Sequence, residues 1–302
     1  MTTYDAGMAV PDWPNTYGYN LFLYPLSTWF HGPWGLFIEH GHRLLGSLVG
    51  LLAIAFLIST WWCQQARSLR VLSAIALVAV IVQGLLGGMR VIADEVQLAK
   101  IHGCFGPAFF AFAVSLATIT SRRWRESVSQ PSAALAKVER LAIITTVLAY
   151  AQLVLGSQLR HLPVGATPGD FRMALMFHLA TAAALLVHIG LLAASIWREF
   201  RRESWLFRPA TGLLALIAVQ LALGAATWVT KYGWPSMLAG YDFTAGYVVQ
   251  ADSQQQAWIT TAHVAVGSLI LATSLLITVR AARLAWRRDA MISSPRLAEV
   301  AR

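Results

Sequence analysis

The sequence predicts an all-α polytopic membrane protein with seven transmembrane helices, and three observations carry the prediction. Of its 302 residues, 57% are hydrophobic and 12% charged, where soluble domains carry about a quarter charged residues. Seven apolar stretches are each long enough to cross a bilayer core, which takes about 20 residues of helix. Basic residues collect in alternate connections, the signature of a fixed orientation in the membrane.

Residues 1–36 form a loop without Lys or Arg, stiffened by Pro11-Asp12-Trp13-Pro14. The first span covers 37–62. It opens on Glu39-His-Gly-His-Arg-Leu-Leu-Gly46 and runs into the apolar SLVGLLAIAFLISTWW. The others are predicted at 70–90, 100–121, 138–160, 172–197, 209–230 and 257–280. Connections 63–70, 121–140 and 198–208, with the tail 280–302, hold 17 of the 23 Lys and Arg residues. The N-terminus is therefore placed outside and the C-terminus in the cytoplasm. The net charge of +9 marks this orientation and not a nucleic-acid surface. Six basic residues break the pattern: Arg43, Arg90, Lys100, Arg160, Arg172 and Lys231. Long cationic side chains snorkel at a membrane boundary, or they hold an anion there. The two cysteines, Cys63 and Cys104, suggest neither a disulfide framework nor a metal site. Residues 1–35 do not read as a signal peptide.

Ionisable groups within a span are costly and point to function. Of eight histidines, His42, His102, His178 and His263 each stand within about two turns of the outer end of spans 1, 3, 5 and 7. Each is followed four residues later by a small residue: Gly46, Gly106, Ala182 and Gly267. Positions four apart share a helix face, so the small residue leaves room for something flat. His42-Arg-Leu-Leu-Gly-Ser-Leu also matches His263-Val-Ala-Val-Gly-Ser-Leu. His40 and His188 precede Leu44 and Leu192. His188 lies deep and reads as a satisfied structural histidine, while His40 points away from the face of His42.

Haem iron accepts axial imidazole, its ring is apolar, and its propionates favour Arg or Lys at the polar boundary. Zinc prefers more closely gathered ligands, and a proton relay would string histidines through the membrane. Four histidines make two pairs, hence up to two haems. Even-numbered spans carry Gln83-x-x-x-Gly87, Gln152-x-x-x-Gly156 and Gln220-x-x-x-Gly224, read as close helix packing with a polar interhelical bond. The alternation His, Gln, His, Gln, His, Gln, His implies two pseudo-symmetric four-helix bundles. One is an N-terminal bundle over 37–121 that lacks its first helix; the other is a C-terminal bundle over 138–280, followed by a basic tail, 281–302. A Gln-bearing span upstream of Met1, or a partner helix, would complete the first bundle; the upstream span is the expectation.

Glu39 and Arg43 flank only one of the four histidines, which suggests that one haem is a cofactor and the other is where chemistry occurs. At (i, i+4) the two also suit a simple ion pair. Glu-x-x-His-Arg at a span start, Gly7-Met-Ala-Val-Pro-Asp-Trp-Pro14, the Gln-x-x-x-Gly helices and Thr261-Ala-His263-Val together resemble the haem A synthase family, over nearly the whole chain. The resemblance implies oxidation of the C8 methyl of haem O to a formyl group, giving haem A for terminal oxidases. It implies that His178 and His263 ligate a haem b, and that His42 and His102 hold the substrate haem, with Glu39 essential to catalysis, making Glu39, His42 and His102 the expected catalytic residues. Arg43, Arg90 and Arg160 are the candidates for haem carboxylates. The implied setting is a bacterial cytoplasmic membrane, with haem O synthase and an electron donor as partners, and is compatible with an oligomer. Two departures stand out: Val10 occupies a position that is cysteine in many members, and the first helix is absent. The rival readings are a di-haem b-type electron-transfer cytochrome, which leaves Glu39 and Arg43 unexplained, and a haem transporter.

Overall fold

The computed structural model describes residues 8–63, 66–163, 165–238 and 240–286. Seven long helices follow the seven apolar stretches: α2 (Trp34–Cys63), α3 (Arg67–Ala93), α4 (Val96–Ile119), α6 (Ala133–Arg160), α7 (Pro168–Glu199), α8 (Ser204–Tyr232) and α9 (Gln254–Ala285). Each is long and apolar enough to cross a membrane. Two short helices, α1 (Leu26–His31) and α5 (Arg122–Glu126), lie in the connections. Most of the predicted tail 281–302, and the start of the N-terminal loop, lie outside the described residues.

Local chemistry sets the helix ends. Asp94 adopts a left-handed conformation (φ 49°) that stops α3, and Gly233 (φ 82°) follows the end of α8. Helix α7 starts on a capping box: Thr167 accepts from the Asp170 N–H, Asp170 accepts from the Thr167 N–H, and Pro168 follows as the first helical residue. That arrangement satisfies two otherwise orphaned donors. The helix sides are apolar and open, with Leu45, Leu51 and Leu52 of α2 each at least 60% exposed. A surface of this kind belongs in hydrocarbon and not in water.

The chain forms two compact units. The first comprises Met1–Phe109, Ser157–Ala166 and Ala218–Ser268. In it α2 packs along α3 and α1 lies against α2. The segment before α2 folds back over the start of that helix, burying Val10, Tyr24 and Leu36, with Trp29 packed beside them. The second unit comprises Phe110–Gly156, Thr167–Ile217 and Leu269–Arg302. Here Thr146 of α6 bonds Thr278 of α9 at 3.0 Å. Arg123 pairs with Glu203 at 2.8 Å, Arg280 lies over the Trp205 ring, and Arg283 lies over Trp124.

Candidate functional site

The N-terminal segment is held by the two charged residues that flank His42. The Glu39 carboxylate accepts from the Val10 N–H at 3.0 Å through one oxygen and from Arg43 at 2.8 Å through the other. Arg43 also donates to the carbonyls of Val10, Asp12 and Asn15. Both side chains are under a tenth exposed. Asp12 in turn accepts from the N–H groups of Tyr17 and Gly18 at 2.8 and 2.7 Å. Burial alone would raise the Asp12 pKa, but these two donors and the charge of Arg43 hold it below the ordinary carboxylate value. One turn from Arg43, His40 is buried and bonds Thr16 at 3.0 Å, with the rings of Tyr24 and Trp29 against it. Trp13 lies flat on Gly88 of α3, where an added Cβ would stand 2.2 Å from its ring. Residues 10–33 are thus a cap, fastened to α2 by Glu39, His40 and Arg43 and to α3 by Trp13.

His42 of α2 and His102 of α4 face each other with ring centroids 6.1 Å apart and planes at 86°. Two imidazoles bound end-on to opposite sides of one metal ion have centroids about 6 Å apart, given metal–nitrogen bonds of about 2 Å. The spacing fits axial ligation of a haem iron. Among the described residues no three His, Cys, Asp or Glu side chains converge as a metal site. The protein thus offers two donors here, not the three or four of a zinc centre.

Each Gln-x-x-x-Gly motif meets the histidine of the next helix. Gln83 donates to the backbone carbonyl of His102 at 3.0 Å, and the His102 ring Nδ1 lies 3.1 Å from the Gln83 carbonyl. The Gln152 amide lies 3.0–3.1 Å from the two ring nitrogens of His178, and that of Gln220 lies 3.5 Å from His263 Nε2. The small-residue signal thus has a partner at His102: Gly106, read as room for a flat ligand, makes room for the Gln83 amide, 3.2 Å from where its Cβ would stand. His178 and His263 belong to different compact units, and each is described with its own glutamine. His188 bonds the Ala184 carbonyl of its own helix at 2.8 Å, as a structural histidine should.

The basic residues that broke the charge pattern sort into three groups. Arg43 serves the cap, and Arg172 is exposed. Arg90, Lys100, Arg160 and Lys231 all act electrostatically on His161 in the first unit. Burial first, and then these four cations, hold the His161 ring down to a pKa of about 4. Lys100 is buried and donates to Gln158 at 3.2 Å. Such a concentration of cations, partly shielded from solvent, suits a carboxylate-bearing ligand.

The fold defines a multi-pass helical membrane protein. Residues 34–239 match the COX15-CtaA description, cytochrome oxidase assembly protein, and the chain belongs to that family. It is 27% identical over 215 residues to the heme A synthase of Halalkalibacterium halodurans, covering 64% of this chain and 70% of the relative. It is 28% identical over 240 residues to the heme A synthase of Shouchella clausii, covering 72% and 76%. No solved structure matches the chain.

Proposed function

We propose that this protein is a haem A synthase, oxidising the C8 methyl of haem O to the formyl group of haem A. The observation that carries the proposal is the facing pair His42 and His102 at 6.1 Å, one turn from the fastened cap, in a chain whose relatives bear that name. The conversion amounts to two successive hydroxylations at one carbon, followed by loss of water from the geminal diol. Oxygen and electrons from a donor supply the oxidising equivalents. The chain's own residues hold and orient the substrate porphyrin. His42 and His102 would hold the macrocycle through its iron, and Arg90 and Arg160, with Lys100 nearby, would receive its carboxylates. Arg43 is committed to the cap, so it supports the site from behind. Glu39 is essential through the same clamp, keeping the cap in register with His42.

His178 and His263 are assigned to a haem b that serves as cofactor. The cap and the cation cluster are placed at the outer face of a bacterial cytoplasmic membrane, with the C-terminus in the cytoplasm. Haem O synthase supplies the substrate. The test is to express the chain with and without a source of haem O and to extract the haem. Haem A that forms only when haem O is supplied supports the assignment. Haem b alone under both conditions would instead favour a di-haem electron-transfer cytochrome.

A further inference from the structure

The three Gln-x-x-x-Gly motifs make the same unusual contact. A Cβ added at Gly87, Gly156 or Gly224 would stand 2.9, 3.2 or 3.3 Å from the ring Cε1 of His102, His178 or His263. Each glycine is therefore the floor on which one imidazole lies. Its place in the motif has a physical reason. In an α-helix the carbonyl of residue i bonds the N–H of residue i+4, and that carbonyl has a second lone pair. A side chain at i+4 shields the second lone pair, whereas a glycine there lets a neighbouring ring reach it. The His102 ring does so, with Nδ1 3.1 Å from the Gln83 carbonyl. A carbonyl only accepts, so Nδ1 carries the proton and Nε2 keeps its lone pair for a metal. At Gln152 and Gln220 the side-chain amide faces the ring, and each amide oxygen is buried without a hydrogen-bond partner. The Gln152 amide nitrogen lies 3.0–3.1 Å from both ring nitrogens of His178, and that of Gln220 lies 3.5 Å from Nε2 of His263, so these contacts bear on the plane of each ring.

We propose that Gln83/Gly87, Gln152/Gly156 and Gln220/Gly224 are positioning residues, each a seat that fixes the plane of the imidazole on the following helix, and that at His102 the Gln83 carbonyl also fixes the tautomer that leaves Nε2 to haem iron. The inference rests on the reading of His102, His178 and His263 as haem ligands. It explains why the polar residue and the glycine recur at a spacing of four, and why they occur on the helices between the histidine helices. The His102 ring is also a stronger donor to the metal, because its Nδ1–H is drawn toward the Gln83 carbonyl.

The experiment compares glycines on the same helix. Gly87→Ala and Gly224→Ala invade the seats, whereas Gly84→Ala on α3 and Gly212→Ala on α8 place their Cβ where nothing lies within 4 Å. Full-length protein is purified from membranes, and haem per chain is measured together with the low-temperature EPR signal of the oxidised low-spin haem, which reports the angle between axial imidazole planes. The seat variants should hold haem about 10-fold or more weakly, the usual scale for losing a ligand's supporting contact, or retain it with a displaced EPR signal. Gly84→Ala and Gly212→Ala should match the wild type. If a seat variant fails to accumulate, Gln152→Leu, which removes the amide 3.0–3.1 Å from the His178 ring, replaces it and should likewise displace the signal. Seat variants with wild-type haem content and EPR signal would overturn the inference, provided His102→Ala loses the substrate haem and His263→Ala loses haem b. Should those histidine variants keep their haem in full, the ligand assignment itself falls, a distinguishable result.

Discussion

Removing the Glu39 carboxylate should open the cap before it disturbs anything else. Glu39 makes two bonds within the cap, one to Val10 and one to Arg43. Breaking one member of a buried ion pair costs about 3–5 kcal/mol. Arg43 keeps three backbone carbonyls in the variant, so the lower end applies. In Glu39→Ala the Val10 N–H also loses its acceptor, but Val10 is free to hydrate once the cap lifts. A loss of about 3 kcal/mol raises the open population about 100-fold. Glu39→Gln keeps an acceptor for Val10 and loses only the charge, for about 1.5 kcal/mol, or about 10-fold. Hydrogen exchange across residues 9–20, read by mass spectrometry on protein in lipid nanodiscs, measures both variants. Haem A formation should vanish in Glu39→Ala and fall in step with cap opening in Glu39→Gln, while the haem b spectrum stays. A Glu39→Gln protein with wild-type exchange but no turnover would refute the argument, because the carboxylate would then act on the substrate directly. Wild-type exchange in Glu39→Ala would refute the clamp itself.

Further outcomes follow from the other residues of the site. His178→Ala or His263→Ala should lose haem b, and His42→Ala or His102→Ala should keep it and lose turnover; optical spectra of the four purified variants decide this. Arg90→Gln or Arg160→Gln should weaken porphyrin retention, seen as haem lost during washing of the immobilised protein. His161, with its pKa held to about 4, binds fewer protons folded than unfolded between about pH 6.5 and 4. Stability therefore falls as the pH drops through that window, and thermal unfolding of His161→Asn should show a shallower fall. Gly88→Ala drives a methyl into Trp13; overpacking of this kind costs about 1–3 kcal/mol, read as faster exchange in the cap, with Gly50→Ala, which meets nothing within 4 Å, unchanged.

The seven helices were legible because a bilayer imposes length and hydrophobicity together. Their ends were less so. Helix α9 runs from Gln254 to Ala285, past the apolar window 257–280, because a helix continues into the polar boundary, where Gln254 and Arg283 are tolerated. Helix α5, a single turn of RRWRE, has no apolar face to announce it. In the site, the placing of His42 and His102 at one depth was readable from their spacing to span ends, and the structure turns the two rings to each other. The use of Arg43 was not readable. Its partners are the carbonyls of Val10, Asp12 and Asn15, and a backbone carbonyl leaves no mark in a sequence. The glycines following the histidines were read as space for a ligand, but at Gly106 a glutamine fills that space. The Gln-x-x-x-Gly helices were correctly read as packing motifs, without their specific partner being visible.

The cap also has a place in time. Trp13 rests on Gly88, 75 residues further along the chain, and synthesis adds about 5–20 residues per second. For roughly 4–15 s after Trp13 leaves the ribosome its seat does not exist. Arg43 follows Val10, Asp12 and Asn15 by 33, 31 and 28 residues, so the partner of the cap on α2 is synthesised before its seat on α3. During that interval the end of α2 that carries His42 is uncovered on the side α3 will occupy.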